Sequence, residues 1–278
     1  MKYETFMRFP QGKLKAFTLS YDDGVAADRH LMQILHDYAV KCTFNLNSDL
    51  FDRQDWHNRL PEKDVLALFG SCPHEIALHG HRHLFMSKCP PVQMYHEIVA
   101  NRTYLEKAFG RVVNGMAYAY GDVSEQIEDA CRACGVVYAR TTKSTHDFTV
   151  PTDFLCWNPT CHHGDGELPA LADAFVSTSP AHSVKFREPF LFYVWGHSYE
   201  FDDHDNWQVL TNLLDKVALR NDVWYATNGE IYSYVTAFRS LIWSADGSMV
   251  YNPTCTDVWL ERDGITLHVP SGSTVKVD

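Results

Sequence analysis

Short runs rich in β-branched and aromatic residues alternate along the chain with longer stretches whose apolar positions recur every three to four residues, the pattern of repeated βα units. The runs predict strands at Lys15 to Leu19, Cys42 to Leu46, Glu75 to Leu78, Val113 to Ala117, Val136 to Arg140, Pro189 to Val194 and Val223 to Ala226. The longer periodicity predicts helices at about Ala26 to Tyr38, Pro61 to Phe69, Val92 to Phe109, Ser124 to Ala133, Leu168 to Val176, Asn206 to Leu219 and Gly229 to Ile242. This succession points to an α/β fold, a (β/α) barrel of about seven strands more than an open sheet. Beyond Ser244 the pattern becomes short alternating runs with turn signals at Asp246-Gly247, Asp263-Gly264 and Pro270-Ser271-Gly272. The expected division is therefore a barrel over residues 1–243 and a small C-terminal β extension over 244–278 packed on it.

In βα-repeat folds reactive residues sit where strands end, and three predicted strand ends carry titratable groups. The first runs into Asp22 and Asp23 within TLSYDDG. Adjacent carboxylates there need a cation or hydrogen bonds to stabilise them; the alternative is that one caps the helix near Ala26 while the other is solvated. The second is HEIALHGHRHLF, where the strand leads into His79 and His83. A spacing of four points both imidazoles the same way in a helical turn, as two ligands of one ion require, whereas His81 points elsewhere; capping or packing is the structural alternative. The third strand, in FLFYVWGHS, ends in His197, either a structural histidine or a general acid.

Composition narrows the chemistry. A 278-residue chain with 45% hydrophobic residues can bury a substantial core. With 24 Lys+Arg against 35 Asp+Glu the net charge is -11, which opposes nucleic-acid binding, and no basic patch offsets it. The 15 His are an abundant supply of ligands and proton carriers. Neither a signal-like leader nor an apolar run long enough to cross a bilayer is present, so a cytoplasmic protein without a membrane partner is expected. Eight cysteines in that setting read as reduced thiols; Cys131 and Cys134 form a CxxC, but on a predicted helix and without a second pair it reads as packing.

The three clusters, in this order, resemble motifs of the polysaccharide deacetylase family of carbohydrate esterases: TLSYDDG its TFDDG, HEIALHGHRH its histidine metal motif, and VWGHS its late strand ending in His. The resemblance implies Asp22 as catalytic base, Asp23, His79 and His83 as ligands of one divalent metal, and His197 as general acid. It also implies a distorted, incomplete (β/α) barrel and an oxyanion contact from the Tyr120 N–H. Zinc suits such a ligand set, with cobalt, nickel, manganese or iron also compatible. The implied substrate is a carbohydrate or other small acylated compound that loses an acyl group, N-acetyl in the first instance.

The departures from the family are specific. The segment NGMAYAYGD, Asn114 to Asp122, lacks the Arg that holds the family's base, leaving Arg82 and Arg140 as candidates. DFLCW, Asp153 to Trp157, only loosely resembles the motif that supports the acid, and His162 and His163 fit no family position. Gly80 stands where Ser or Thr is usual, as in relatives acting on small cyclic amides or ureides. Two rival functions follow: hydrolysis of such a cyclic compound, and carbohydrate binding without turnover. Trp56, Trp157, Trp195 and Trp207 are the tryptophans considered for stacking on a sugar, with Trp157 the preferred one.

Overall fold

The computed structural model describes residues 4–53, 57–178 and 187–277; Trp56 lies outside them. After a first strand, β1 (Thr5–Arg8), come the eight strands of the central sheet: β2 (Lys15–Asp22), β3 (Cys42–Leu46), β4 (Glu75–Leu78), β5 (Gly115–Ala117), β6 (Tyr138–Arg140), β7 (Cys161–His162), β8 (Phe190–Gly196) and β9 (Val223–Tyr225). All are parallel where they pair, in the order β6-β5-β4-β3-β2-β8-β7. On its other edge β2 is shared, its first residues pairing with β9 and its last with β3. Every residue of β2 is buried, as expected for a parallel strand covered on both faces.

The helices are α1 (Asp28–Asp37), α2 (Glu62–Phe69), α3 (Pro91–Phe109), α4 (Glu125–Ala133), α5 (Leu168–Ser177), α6 (Tyr199–Asp203), α7 (Gln208–Val217) and α8 (Asn228–Arg239). Their ends follow the sequence chemistry. Proline opens α3 and Gly110, at φ 64°, closes it in the left-handed region, while Thr227 and Glu230 form a capping box on α8. Leu31, Ile34 and Leu35 of α1 and Leu210, Leu213, Leu214 and Val217 of α7 are buried, joining the core beneath the sheet.

The βα repeat read from periodicity and the distorted barrel that the resemblance implies are the observed fold, with differences at the strand ends. β2 and β8 run past Leu19 and Val194 to Asp22 and Gly196, carrying polar residues inside the sheet end. β7 and α6 were not predicted, because two and five residues are too few to show a period. The segment Phe154–His163 spans the gap between β6 and β8. Ala139 donates to Phe154 O (2.8 Å) and Thr141 to Trp157 O (2.9 Å) at one end; Thr160 donates to Tyr193 O (2.9 Å) and His163 to Trp195 O (2.8 Å) at the other.

The chain ends with β10 (Ile242–Trp243), β11 (Met249–Tyr251), β12 (Val258–Arg262), β13 (Ile265–Val269) and β14 (Thr274–Lys276). They form two antiparallel sheets, β10-β11-β14 and β1-β12-β13, so the N-terminal strand is built into the C-terminal β region. Val250, Leu260, Val269 and Val277 pack there against Phe238 and Leu241. All eight cysteines are free thiols, and no described helix is long and apolar enough to cross a membrane.

Candidate metal centre and active site

The two carboxylates at the end of β2 are buried and face different partners. Asp23 sits at φ 88°, a left-handed conformation rare outside glycine, held by its N–H to Asn45 O (2.9 Å). Arg59, itself buried, donates to the Asp23 carbonyl and, at 2.9 Å, to Oδ1. Asp23 Oδ2 is buried without a hydrogen-bond partner. An ionised oxygen in that position is costly unless a cation meets it.

His79 and His83 complete the donors. Their Nε2 atoms lie 3.1 Å apart, and each is 3.9 Å from Asp23 Oδ1. Burial lowers both imidazoles to a pKa of about 4, so they are neutral with lone pairs at physiological pH. His79 Nδ1 faces Ala117 O at 2.9 Å; a carbonyl only accepts, so Nδ1 carries the proton and Nε2 the lone pair. One carboxylate and two imidazoles, with ligand atoms within 4.8 Å of one another, fit a divalent cation and leave coordination positions for water and substrate.

The backbone that joins the two histidines is not the predicted helical turn. Residues 79 to 83 form a loop in which Gly80 (φ 77°) and His83 (φ 57°) are both left-handed, folding the imidazoles together. Gly80 is required here because its conformation disfavours any side chain. Two residues of α3 one turn apart brace the loop: Asn101 accepts the His79 N–H (3.0 Å) and Glu97 the Arg82 N–H (2.7 Å). His81 points elsewhere, to Ser48 Oγ at 2.8 Å.

Of the two arginines offered as candidates, Arg140 is the one that contacts Asp22. From the end of β6 its Nη2 reaches Asp22 Oδ2 at 2.5 Å, while Asn45 donates to Oδ1 at 2.7 Å. Burial alone raises the Asp22 pKa, but Arg140, His79, His197 and Asn45 outweigh it and hold the carboxyl at about 2. Arg82 is half-exposed and pairs with Asp49. His197 Nε2 lies 3.9 Å from Asp22 Oδ2 and from Asp23 Oδ2; burial lowers its pKa, yet the Glu200 hydrogen bond and the two aspartates raise it above the ordinary value.

Around the opening, Tyr120 is exposed in a turn at φ 59°, stacked on Phe85 (centroids 3.8 Å apart, 7° between planes) and 4.4 Å from the His83 ring. On the other side Tyr199 stacks on His57 at 3.6 Å. Trp157 does not join them: it is 1% exposed and packs edge-on against Tyr138, Phe154 and Tyr193, so it has no face for a sugar. Trp195 is also buried, its ring under the Arg140 guanidinium at 4.1 Å. Trp207 lies away from the site, against His30. Asp153 accepts the Leu155 N–H and does not support His197.

Sequence reasoning missed Arg59, Asn45, Asn101 and Glu200. Only Glu200, three residues after His197, carried a local signal: a capping-type spacing at a strand-to-helix turn. His162 and His163, placed by no motif, gather at Glu200.

Residues 10–139 match the polysaccharide deacetylase family. The match takes in just under half of the chain. The matched stretch includes Asp22, Asp23, His79, His83 and Tyr120; Arg140 and His197 lie beyond it. Among solved structures, a putative polysaccharide deacetylase from Mycobacterium smegmatis is 15% identical, with 86% of this chain and 96% of that one covered at TM-score 0.58. A family 4 carbohydrate esterase from Streptomyces lividans, in complex with acetate, is 12% identical over 76% and 91% at TM-score 0.50. These share the deacetylase fold. The chain spans under half of a Bacillus cereus polysaccharide deacetylase, 20% identical over 50% of this chain and 44% of that one at TM-score 0.43. No curated protein sequence matches.

Proposed function

We propose that this chain is a member of the polysaccharide deacetylase family, a metal-dependent hydrolase that removes an acyl group, N-acetyl in the first instance, from an amino sugar or oligosaccharide. The observation that carries the reading is Asp23 Oδ2, buried without a hydrogen-bond partner, beside two neutral imidazoles. Asp23, His79 and His83 would hold a divalent cation, zinc being the ion such a donor set suits best, which would supply Lewis acidity at the acyl carbonyl and at water. Asp22, kept ionised and fixed by Arg140 and Asn45, takes a proton from the attacking water. His197 gives its Nε2 proton to the leaving nitrogen as the C–N bond breaks, and the exposed turn at Tyr120 is the oxyanion contact. The stacked pairs Phe85–Tyr120 and His57–Tyr199 replace Trp157 as aromatic walls for a sugar.

Arg140 against Asp22 supports turnover over binding without turnover, a rival prompted by the missing Arg and Pro. The cyclic-amide alternative rests on Gly80, whose left-handed φ supplies a backbone reason for glycine independent of substrate. Metal analysis of the purified protein, with acetate release from chito-oligosaccharides before and after chelation, tests the proposal. Metal near one per chain and acetate release abolished by chelation are expected; turnover of a cyclic imide without acetate release, or full activity in the metal-free protein, would sink it.

A further inference from the structure

The pair His162 and His163 forms, with Glu200, a second group of two imidazoles and a carboxylate with ligand atoms within 4.8 Å of one another. Its proton arrangement differs from that of the metal centre. Gly164 donates its backbone N–H to His162 Nδ1 at 3.0 Å, so Nδ1 has the lone pair and the proton sits on Nε2. His163 Nδ1 lies 3.3 Å from Tyr21 Oη, a hydroxyl that can donate to it. Both Nε2 atoms aim at Glu200 Oε2, at 3.1 and 3.0 Å. A ligating imidazole needs the reverse, an N–H directed outward and a lone pair directed inward.

The same carboxylate holds His197. Its Oε1 is 3.3 Å from His197 Nδ1 and its Oε2 accepts the His197 backbone N–H, also at 3.3 Å. The turn is pinned from the far side by Ser198, whose hydroxyl donates to Asp28 Oδ1 at 2.6 Å. Burial raises the Glu200 pKa, but the hydrogen bonds from His162, His163 and His197 carry it far below the usual carboxylate range.

We infer that Glu200 is a positioning residue for His197, and that His162 and His163 serve to fix Glu200 instead of binding a second metal. The inference rests on the proposed acyl hydrolysis. With Nδ1–H held by Glu200, the proton available for transfer is the one on Nε2, the nitrogen facing Asp22 and Asp23. That N–H bond breaks as a new N–H bond forms to the leaving nitrogen, which takes the electron pair of the scissile C–N bond; His197 is left as the neutral Nδ1–H tautomer on Glu200. The role matters only when the leaving group needs a proton.

The test compares an N-acetyl amino sugar with para-nitrophenyl acetate, whose phenolate leaves unprotonated. Glu200→Gln is expected to lose about 10²-fold in kcat on the amide, a general-acid effect, with KM and bound metal unchanged and the aryl ester affected less than about threefold. Glu200→Asp should recover part of the amide rate. Histidine ¹⁵N NMR of the metal-free protein should show His197 moving from Nδ1–H towards the other neutral tautomer in Glu200→Gln, and His162→Ala, at a partly exposed position, should give the same substrate split more weakly. Equal losses on both substrates, an unchanged His197 tautomer, or two metals per chain with one lost in His162→Ala would overturn the inference. A wild-type protein inactive on both substrates would instead refute the hydrolase reading beneath it.

Discussion

Glu75 and Asp23 are buried or partly buried carboxylates at opposite ends of one parallel sheet, and they are treated in opposite ways. Glu75, at the start of β4, has both oxygens taken: Tyr138 Oη donates at 2.8 Å, Thr43 Oγ1 at 2.9 Å and the Gly229 N–H at 2.8 Å. It lines a cavity of about 620 Å³ together with His74, Arg111, Trp224 and Trp259. Asp23, just past the end of β2, has one oxygen on Arg59 and the other without a hydrogen-bond partner. A satisfied buried carboxylate joins elements together, whereas an unsatisfied one stores a demand for a ligand. Glu75 at the bottom of the barrel is therefore satisfied within the fold, whereas Asp23 at the top leaves an oxygen for the proposed cation.

The sharpest way to break that comparison is at the metal set. His79→Ala should lose the bound cation and on the order of 10³-fold of turnover, since several kcal/mol of transition-state stabilisation goes with the ion; metal content and kcat check it. Asp22→Asn should lose roughly 10²- to 10⁴-fold while keeping its metal. Substantial turnover in Asp22→Asn would move the base elsewhere.

A smaller effect concerns Asp28, whose carboxyl is buried at the same end. Burial raises its pKa to about 7 against the hydrogen bonds from Ser198 and the Val25 N–H. The folded protein thus holds this proton more tightly than the unfolded chain, where the value is about 3.9. The associated stability is fully present below about pH 4 and is lost as pH rises towards 7, a change on the order of 3 kcal/mol. Asp28→Asn, which mimics the protonated form, should flatten that slope in denaturant titrations of the metal-free protein; an equally steep wild-type and variant profile would exclude Asp28 as its source. Smallest is Glu75→Gln, expected to cost about 1–3 kcal/mol by disturbing satisfied acceptors, with kcat unchanged. A loss of turnover there without a loss of stability would erase the distinction between the two ends.

Much of this was legible in the chain because the fold is made of repeated units long enough to show a period. The Asp22-Asp23 pair, the His79/His83 spacing and His197 all sit directly after such strands. The partners did not show, for reasons of distance. Arg140 meets Asp22 across 118 residues and Arg59 meets Asp23 across 36, and no local pattern encodes either contact. Trp157 misled because aromatic type says nothing about which side of the wall a ring faces; only the packing with Phe154 and Tyr193 shows that it faces inward. At His79 to His83 the right pair was found with the wrong backbone, since a spacing of four is met by a left-handed loop as well as by a helix.

The Phe154–His163 segment, bonded to β6 at one end and β8 at the other, makes a ring out of what would be an open ribbon. Arg140 belongs to one arc of that ring and His197 follows the other, so the Asp22 and His197 sides of the proposed active site are spanned by one ten-residue clasp. The spacing of the proposed base and acid is in effect a property of the clasp, and lengthening it by a single residue would shift both at once.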